Sequence, residues 1–321
     1  MGLVCMGVLI MDMFPSESGK RLVDVLAYKP TPGGAPANVA VAAARLGVKS
    51  AFLGKVGEDA FGHHLAEILK NEGVDTCGIR FDKNARTTMN FHAKPEKGVV
   101  EYLFYRNPGT DTTLRIDELD VQMIENAEIL HFDSLCLTDE PCRSTTMEAL
   151  KIAGNAGTIV SFDVNYRPVL WEQPENAAQC VYGILEKVNI LKLNEDELEL
   201  ICPGMDIEKA VRTILGKGPI LCLVTLGPKG SYFATKAGSR LVPALDVDVV
   251  DTIGCGDAYI GGFLSKLIEN RAVLYTLSNE ELLEYAIYAD TVAALTATRY
   301  GALPALPSKE EVTSFLKVRG K

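Results

Sequence analysis

The sequence predicts an α/β protein: a mainly parallel central sheet with helices on both faces, and a small separate β-sheet over the strand ends. Three observations predict it. Apolar strand-like runs alternate with helical patterns along most of the 321 residues. Two stretches break the alternation with short β-type runs, and the last third is helical.

The elements follow in order. Residues 2–10 form an apolar run that reads as a buried first strand. They resemble a secretory leader only superficially, because no basic region precedes them and Asp12 follows at once. Residues 36–46 read as a helix with Pro36 in its first turn and Gly47 as its stop. A strand over 50–56 and a helix over 60–71 come next. Further strands are expected near 127–132, 158–163, 188–193 and 220–225, with helices near 139–155, 175–187 and 206–216. Strands separated by helices pair in parallel, so the sheet is covered on both faces. Residues 13–32 and 87–109 do not fit that scheme. The runs 87–93 and 99–105 read as a hairpin joined by 94–98, and with the first segment they form a candidate lid. Helices over 256–270, 279–298 and 308–318 complete the chain, which reads as one domain over 1–321.

Composition narrows the function. Hydrophobic residues make up 47% and charged residues 23%, the balance of a chain with a core rather than a disordered one. No apolar run is long enough to span a membrane. The eight cysteines contain no CxxC pair and lie mostly in apolar segments, which fits reduced core residues and a cytoplasmic setting. A formal charge of −10 argues against nucleic acid as a partner. It does not exclude a phosphate ligand, because salt screens charges beyond about 8 Å and local donors decide anion binding.

Such donors are expected at DTIGCGD, residues 251–257. Gly254 and Gly256 flank Cys255 just before a helix, where glycine permits a sharp turn and free N–H groups attract an anion. A carboxylate in that turn, Asp257, would repel a phosphate held for its own sake. It has a purpose if it faces a substrate hydroxyl while the amides of Gly254, Cys255 and Gly256 hold a transferring phosphoryl group. The alternative is that Asp257 caps the helix.

The whole pattern resembles the DTxGxGD signature of the ribokinase-like (PfkB) family of carbohydrate kinases. GGAPANVAVAAARLG, residues 33–47, resembles that family's N-terminal signature. There Gly33 and Gly34 let backbone approach a sugar, and Asn38 offers both a donor and an acceptor.

The resemblance carries further expectations, closest to the fructokinases of the family. It implies that Asp12 binds sugar hydroxyls, and that Arg106 in FYRNPGTD and Arg167 in DVNYRPVLW place cations near the sugar or its new phosphate. It implies that Asn194 and Glu197 of NEDE serve the nucleotide and, indirectly, Mg²⁺, for which an Asn cap on an acidic helix start is the alternative. Thr225, Gly227 and Gly230 correspond to the nucleotide loop, for which a plain hairpin turn is the alternative. Asp251, the carbonyl of Ile253 and Gly301 border a monovalent-cation site suited to K⁺. Asp290 lines the nucleotide pocket or reaches the substrate. ATP is the implied phosphoryl donor and fructose the leading acceptor, with 2-keto-3-deoxygluconate or ribose as alternatives. A non-catalytic sugar or nucleotide sensor on the same fold is the alternative of another class. Exposed lid strands invite pairing as a homodimer.

Overall fold

The computed structural model describes residues 1–96 and 100–318. In chain order the strands and helices are β1 (Leu3–Gly7), β2 (Ile10–Pro15), β3 (Tyr28–Gly33), α1 (Ala35–Arg45), β4 (Ser50–Gly57), α2 (Ala60–Asn71), β5 (Asp75–Asp82), β6 (Met89–Ala93) and β7 (Glu101–Tyr105). Then come α3 (Val121–Glu125), β8 (Ile129–Asp133), α4 (Cys142–Ala156), β9 (Ile159–Asp163), α5 (Pro174–Ile184), β10 (Ile190–Asn194), α6 (Glu195–Ile201) and α7 (Ile207–Leu215). The last are β11 (Leu221–Thr225), β12 (Ser231–Thr235), β13 (Gly238–Val242), α8 (Cys255–Glu269), α9 (Asn279–Ala297) and α10 (Lys309–Val318).

Nine strands make one sheet in the order β13-β12-β11-β10-β9-β8-β1-β4-β5. It is parallel except for β12 and β13, which return antiparallel at one edge. Both faces are covered, and β1 shows how: Leu3 and Cys5 join a core with α1, α8 and α9, while Val4 and Met6 join a second core with α4, α5 and α7. A strand buried on both sides needs apolar side chains at every position, which is why it reads as an unbroken run rather than an alternating one.

The expected first strand over 2–10 is two strands in two sheets. At Gly7 an added Cβ would stand 2.7 Å from Pro36 of α1, and here the chain leaves the main sheet. Val8 and Leu9 bridge the gap, and β2 starts the second sheet, of order β3-β2-β6-β7. That sheet therefore begins at Ile10, upstream of the expected 13. Its hairpin β6–β7 is antiparallel as expected, although residues 97–99 lie outside the described residues. Apolarity alone could not locate the break, since Val8, Leu9 and Ile10 are as buried as the strand before them.

The chain adds β4 and β5 on one side of β1 and β8 to β11 on the other, so the order switches between β1 and β8. Ligands of open α/β sheets bind outside the carboxyl ends of the strands at such a point. Gly7, Asp133, Asp163, Asn194 and Thr225 are the last residues of their strands there.

Candidate active site

The start of α8 is built on Gly254, which takes a left-handed conformation (φ 80°, ψ −3°) that a side chain would disfavour. No side chain caps this helix. Asp257, in its first turn, instead accepts a hydrogen bond from Asn38 Nδ2 of α1 at 2.8 Å. The helix-cap reading of Asp257 is thus not what the structure contains. Of the three turn amides, Cys255 N–H donates a long bond to Thr252 O at 3.3 Å, while Ala258 N–H closes the first helical turn on Gly254 O.

Burial raises the Asp257 carboxyl to about 6, a rise that the Asn38 bond opposes and the nearby Asp163 charge reinforces; Lys192 and Arg167 pull it down. Beneath the turn lies a buried set of charges. Lys192 of β10 holds both oxygens of Asp163 at 3.1 and 2.8 Å. Asp133 accepts from Asn165 Nδ2 at 2.8 Å, and burial pushes its carboxyl up to about 7.

On the other side of Asp257, β2 and β6 pair so that Asp12 stands opposite Asn90. Asp12 Oδ1 receives Asn90 Nδ2 at 3.0 Å and meets His92 Nε2 at 2.7 Å. Gly33 faces this carboxylate so closely that an added Cβ would overlap it. Asn38 Oδ1, Asn90 Oδ1 and His92 Nδ1 are buried and lack hydrogen-bond partners among the described residues. Buried orphans of this kind point to a missing polar partner. Gly34 keeps φ 109°, and an added Cβ there would stand 2.2 Å from Val8 O, so the link between β1 and β2 passes directly against the entry to α1.

The two arginines differ. Arg106 is enclosed, with Nε 2.8 Å from Asp111 and Nη2 donating to Thr138 Oγ1 at 2.7 Å; it ties the base of the small sheet to the loop after β8. Arg167 is half-buried, donates to Tyr166 O, and lies over the Tyr102 ring of β7 at 6.0 Å.

Beyond β10, Asn194 and Glu197 form a reciprocal cap: Asn194 Oδ1 accepts from Glu197 N–H at 2.9 Å and Glu197 Oε2 from Asn194 N–H at 2.8 Å. Glu197 Oε1 also accepts from Tyr166 N–H. Thr225 ends β11, and the loop to β12 is a tight hairpin, with Gly227 in open space and Gly230 against Val242 O. Asp290 of α9 accepts from Ser231 Oγ of β12 at 2.7 Å, and burial raises it to about 7.

Asp251 Oδ2 accepts from Gly301 N–H at 3.2 Å, and Oδ1 from Ile253 N–H at 3.4 Å. Lys94, the residue after β6, places its ammonium 3.2 Å from Asp251 Oδ1. Among the described residues no group of three or more His, Cys, Asp or Glu stands together in a way that could hold a metal ion.

Sequence reasoning missed Lys192, Lys94 and Asn90. Lys192 carried a signal, a lysine inside an apolar strand, since a buried charge requires a partner. Lys94 and Asn90 carried none, because hairpin positions of this type are commonly polar.

Residues 2–309 match the profile described as pfkB family carbohydrate kinase. A chloroplastic probable fructokinase-6 of Arabidopsis thaliana is 45% identical over 98% of this chain and 82% of its own length. A Xylella fastidiosa fructokinase with bound ATP superposes with a TM-score of 0.92 at 32% identity, covering 100% of this chain and 99% of the other. A Vibrio cholerae fructokinase double mutant with fructose, ADP and potassium gives 0.89 at 32%, covering 98% of each.

Proposed function

Because the chain belongs to the pfkB family of carbohydrate kinases, we propose that it transfers the γ-phosphoryl group of ATP to the primary hydroxyl of fructose, giving fructose 6-phosphate. One observation carries the assignment of the base: Asp257 meets Asn38 rather than capping its own helix. The carboxylate is thereby turned toward the ground shared by the two glycine signatures.

The sugar lies between Asp12, Gly33, Gly34 and Asn38. The orphaned oxygens of Asn38 and Asn90 suit the hydroxyl donors of a polyol, as the orphaned His92 nitrogen suits either role by tautomer. Arg167 stands under the small sheet, which closes over the sugar as a lid and keeps water from the phosphoryl group. Arg106 acts at one remove, fixing that lid through Asp111. Asp257 accepts the hydroxyl proton as the oxygen attacks phosphorus, and the turn amides of Gly254, Cys255 and Gly256 receive the charge on the phosphoryl oxygens.

ATP enters from the β10–β12 side, past Asn194, Thr225, Gly227, Gly230 and Asp290. Both Glu197 oxygens are held by backbone N–H groups, which leaves lone pairs for metal-bound water rather than a full ligand set. Glu197 would hold a nucleotide-bound Mg²⁺ through its waters, and the ion would supply charge neutralisation at the phosphates. Asp251, the Ile253 carbonyl and Gly301 suit K⁺, in competition with Lys94. Exposed Leu103 and Tyr105 on β7, an edge strand of the small sheet, suit pairing with a second copy.

The test is an ADP-coupled assay with Mg-ATP and fructose, ribose, 2-keto-3-deoxygluconate, adenosine or tagatose 6-phosphate, with and without K⁺. Fructose should give the highest kcat/KM. A higher value for any other acceptor, or ATP turnover indifferent to sugar, would sink the reading.

A further inference from the structure

Lys192 has no part in the reaction as written above, yet it is placed against it. Its side chain is 7% exposed in β10, an interior strand of the sheet, where both neighbours, Leu191 and Leu193, are fully buried. A buried ammonium must be paired, and a buried pair is on balance no better for stability than apolar residues of the same size. The fold therefore gives no reason of its own for a lysine here. Its position gives one. A Cβ on Gly256 would stand 2.8 Å from Nζ, so the ammonium lies directly behind the second glycine of the anion turn. Asp163 holds it there with both oxygens, leaving one of its three N–H donors unassigned.

We propose that Lys192, clamped by Asp163, is a positioning residue for phosphoryl transfer, a fixed positive charge behind Gly256 that strengthens the anion turn and offsets the carboxylates around Asp257. The inference rests on the kinase reading, because it requires a phosphoryl group at residues 254–256. Burial opposes the charge on Lys192, but the charges of Asp163 and Glu197 and the hydrogen bonds to Asp163 outweigh it, so the group stays protonated. The groups facing Asp257 are Asn38 from α1, Asp133 from β8, Asp163 and Arg167 at and after β9, Lys192 from β10, and Cys255 in its own turn. Of these Lys192 and Arg167 are the cations. Without Lys192 the carboxylates would hold Asp257 protonated to higher pH.

The test uses the full chain with Mg-ATP and fructose, measuring kcat and KM from pH 5 to 9. Lys192→Met should lower kcat about 10²-fold, the scale of losing one donor to a developing oxyanion. It should leave the fructose KM within about threefold and move the acid limb of kcat upward by about one pH unit. The double variant K192M/D163N removes the unpaired buried carboxylate, so it should recover thermal stability and much of the limb position but not kcat. Asp163→Asn alone should lower the limb, because a negative neighbour of Asp257 is gone, and lower kcat, because Lys192 is no longer held. If the Lys192 variants do not fold, this last variant decides. Wild-type kcat in the double variant, or an unchanged pH profile in Asp163→Asn, overturns the inference. Asp257→Asn is the control: if it stays active the kinase-site reading has failed, whereas an inactive Asp257→Asn beside a normal K192M/D163N refutes Lys192 alone.

Discussion

The side-chain amide of Asn38 donates to the carboxylate of Asp257 at 2.8 Å, across 219 residues of chain. It joins the N-terminal glycine signature to the C-terminal one and favours the ionised form of the carboxylate against the larger, opposing effect of burial.

With Asp257 raised to about 6 by burial, the carboxylate proposed as the base is ionised above that pH and protonated below it. Turnover should fall about tenfold per pH unit below 6. Asn38→Ala removes a bond that favours the ionised form, so the limb should move to higher pH. A limb that stays in place in Asn38→Ala would separate Asn38 from the base.

Asp257→Asn should reduce kcat by at least about 10²-fold and also stabilise the fold at neutral pH. A carboxyl moved from 3.8 to about 6 costs about 3 kcal/mol to ionise in the fold relative to the unfolded chain. The raised value means that stability is fullest below about pH 4 and is lost as pH rises through 6. Denaturation curves should therefore show the variant more stable than wild type at pH 8, with the difference gone at pH 4.

Lys94 sits 3.2 Å from Asp251, on the carboxylate proposed to hold K⁺. Lys94→Ala removes this internal cation, so stimulation by K⁺ should increase severalfold, with half-saturation at lower K⁺. Identical K⁺ titrations for variant and wild type would place the ion elsewhere.

Gly33→Ala and Gly34→Ala should separate binding from folding. A Cβ at Gly33 overlaps the Asp12 carboxylate, a side-chain end that can move. The expected effect is a rise of about tenfold or more in fructose KM, with the melting temperature little changed. Gly34 combines φ 109° with the immovable Val8 carbonyl, so its alanine variant should lose about 1–3 kcal/mol or more of stability. Calorimetry beside steady-state kinetics distinguishes the two.

Much of this was legible in the sequence because the deciding information is local. The βα alternation, the glycine turn before α8 and the helix bounds near 60–71 depend on neighbouring residues; α2 and α8 lie within a residue of their expected places, whereas α4 starts and α5 ends three residues away and β5 was not expected. The antiparallel edge β12–β13 was not anticipated, since a short apolar run has no direction until it finds a neighbour.

The sequence by itself determined that Asp257 stands in a glycine-built turn opening a helix, the arrangement on which the proposed base beside an anion rests. It did not determine what the carboxylate touches. Whether Asp257 caps its helix or meets Asn38, and whether Lys192 is a surface charge or the buried neighbour of Gly256, was decided only in three dimensions. The physical reason is burial: a charge takes its ionisation and role from the groups that replace water around it, and Asn38, Asp163 and Lys192 come to Asp257 from three separate elements.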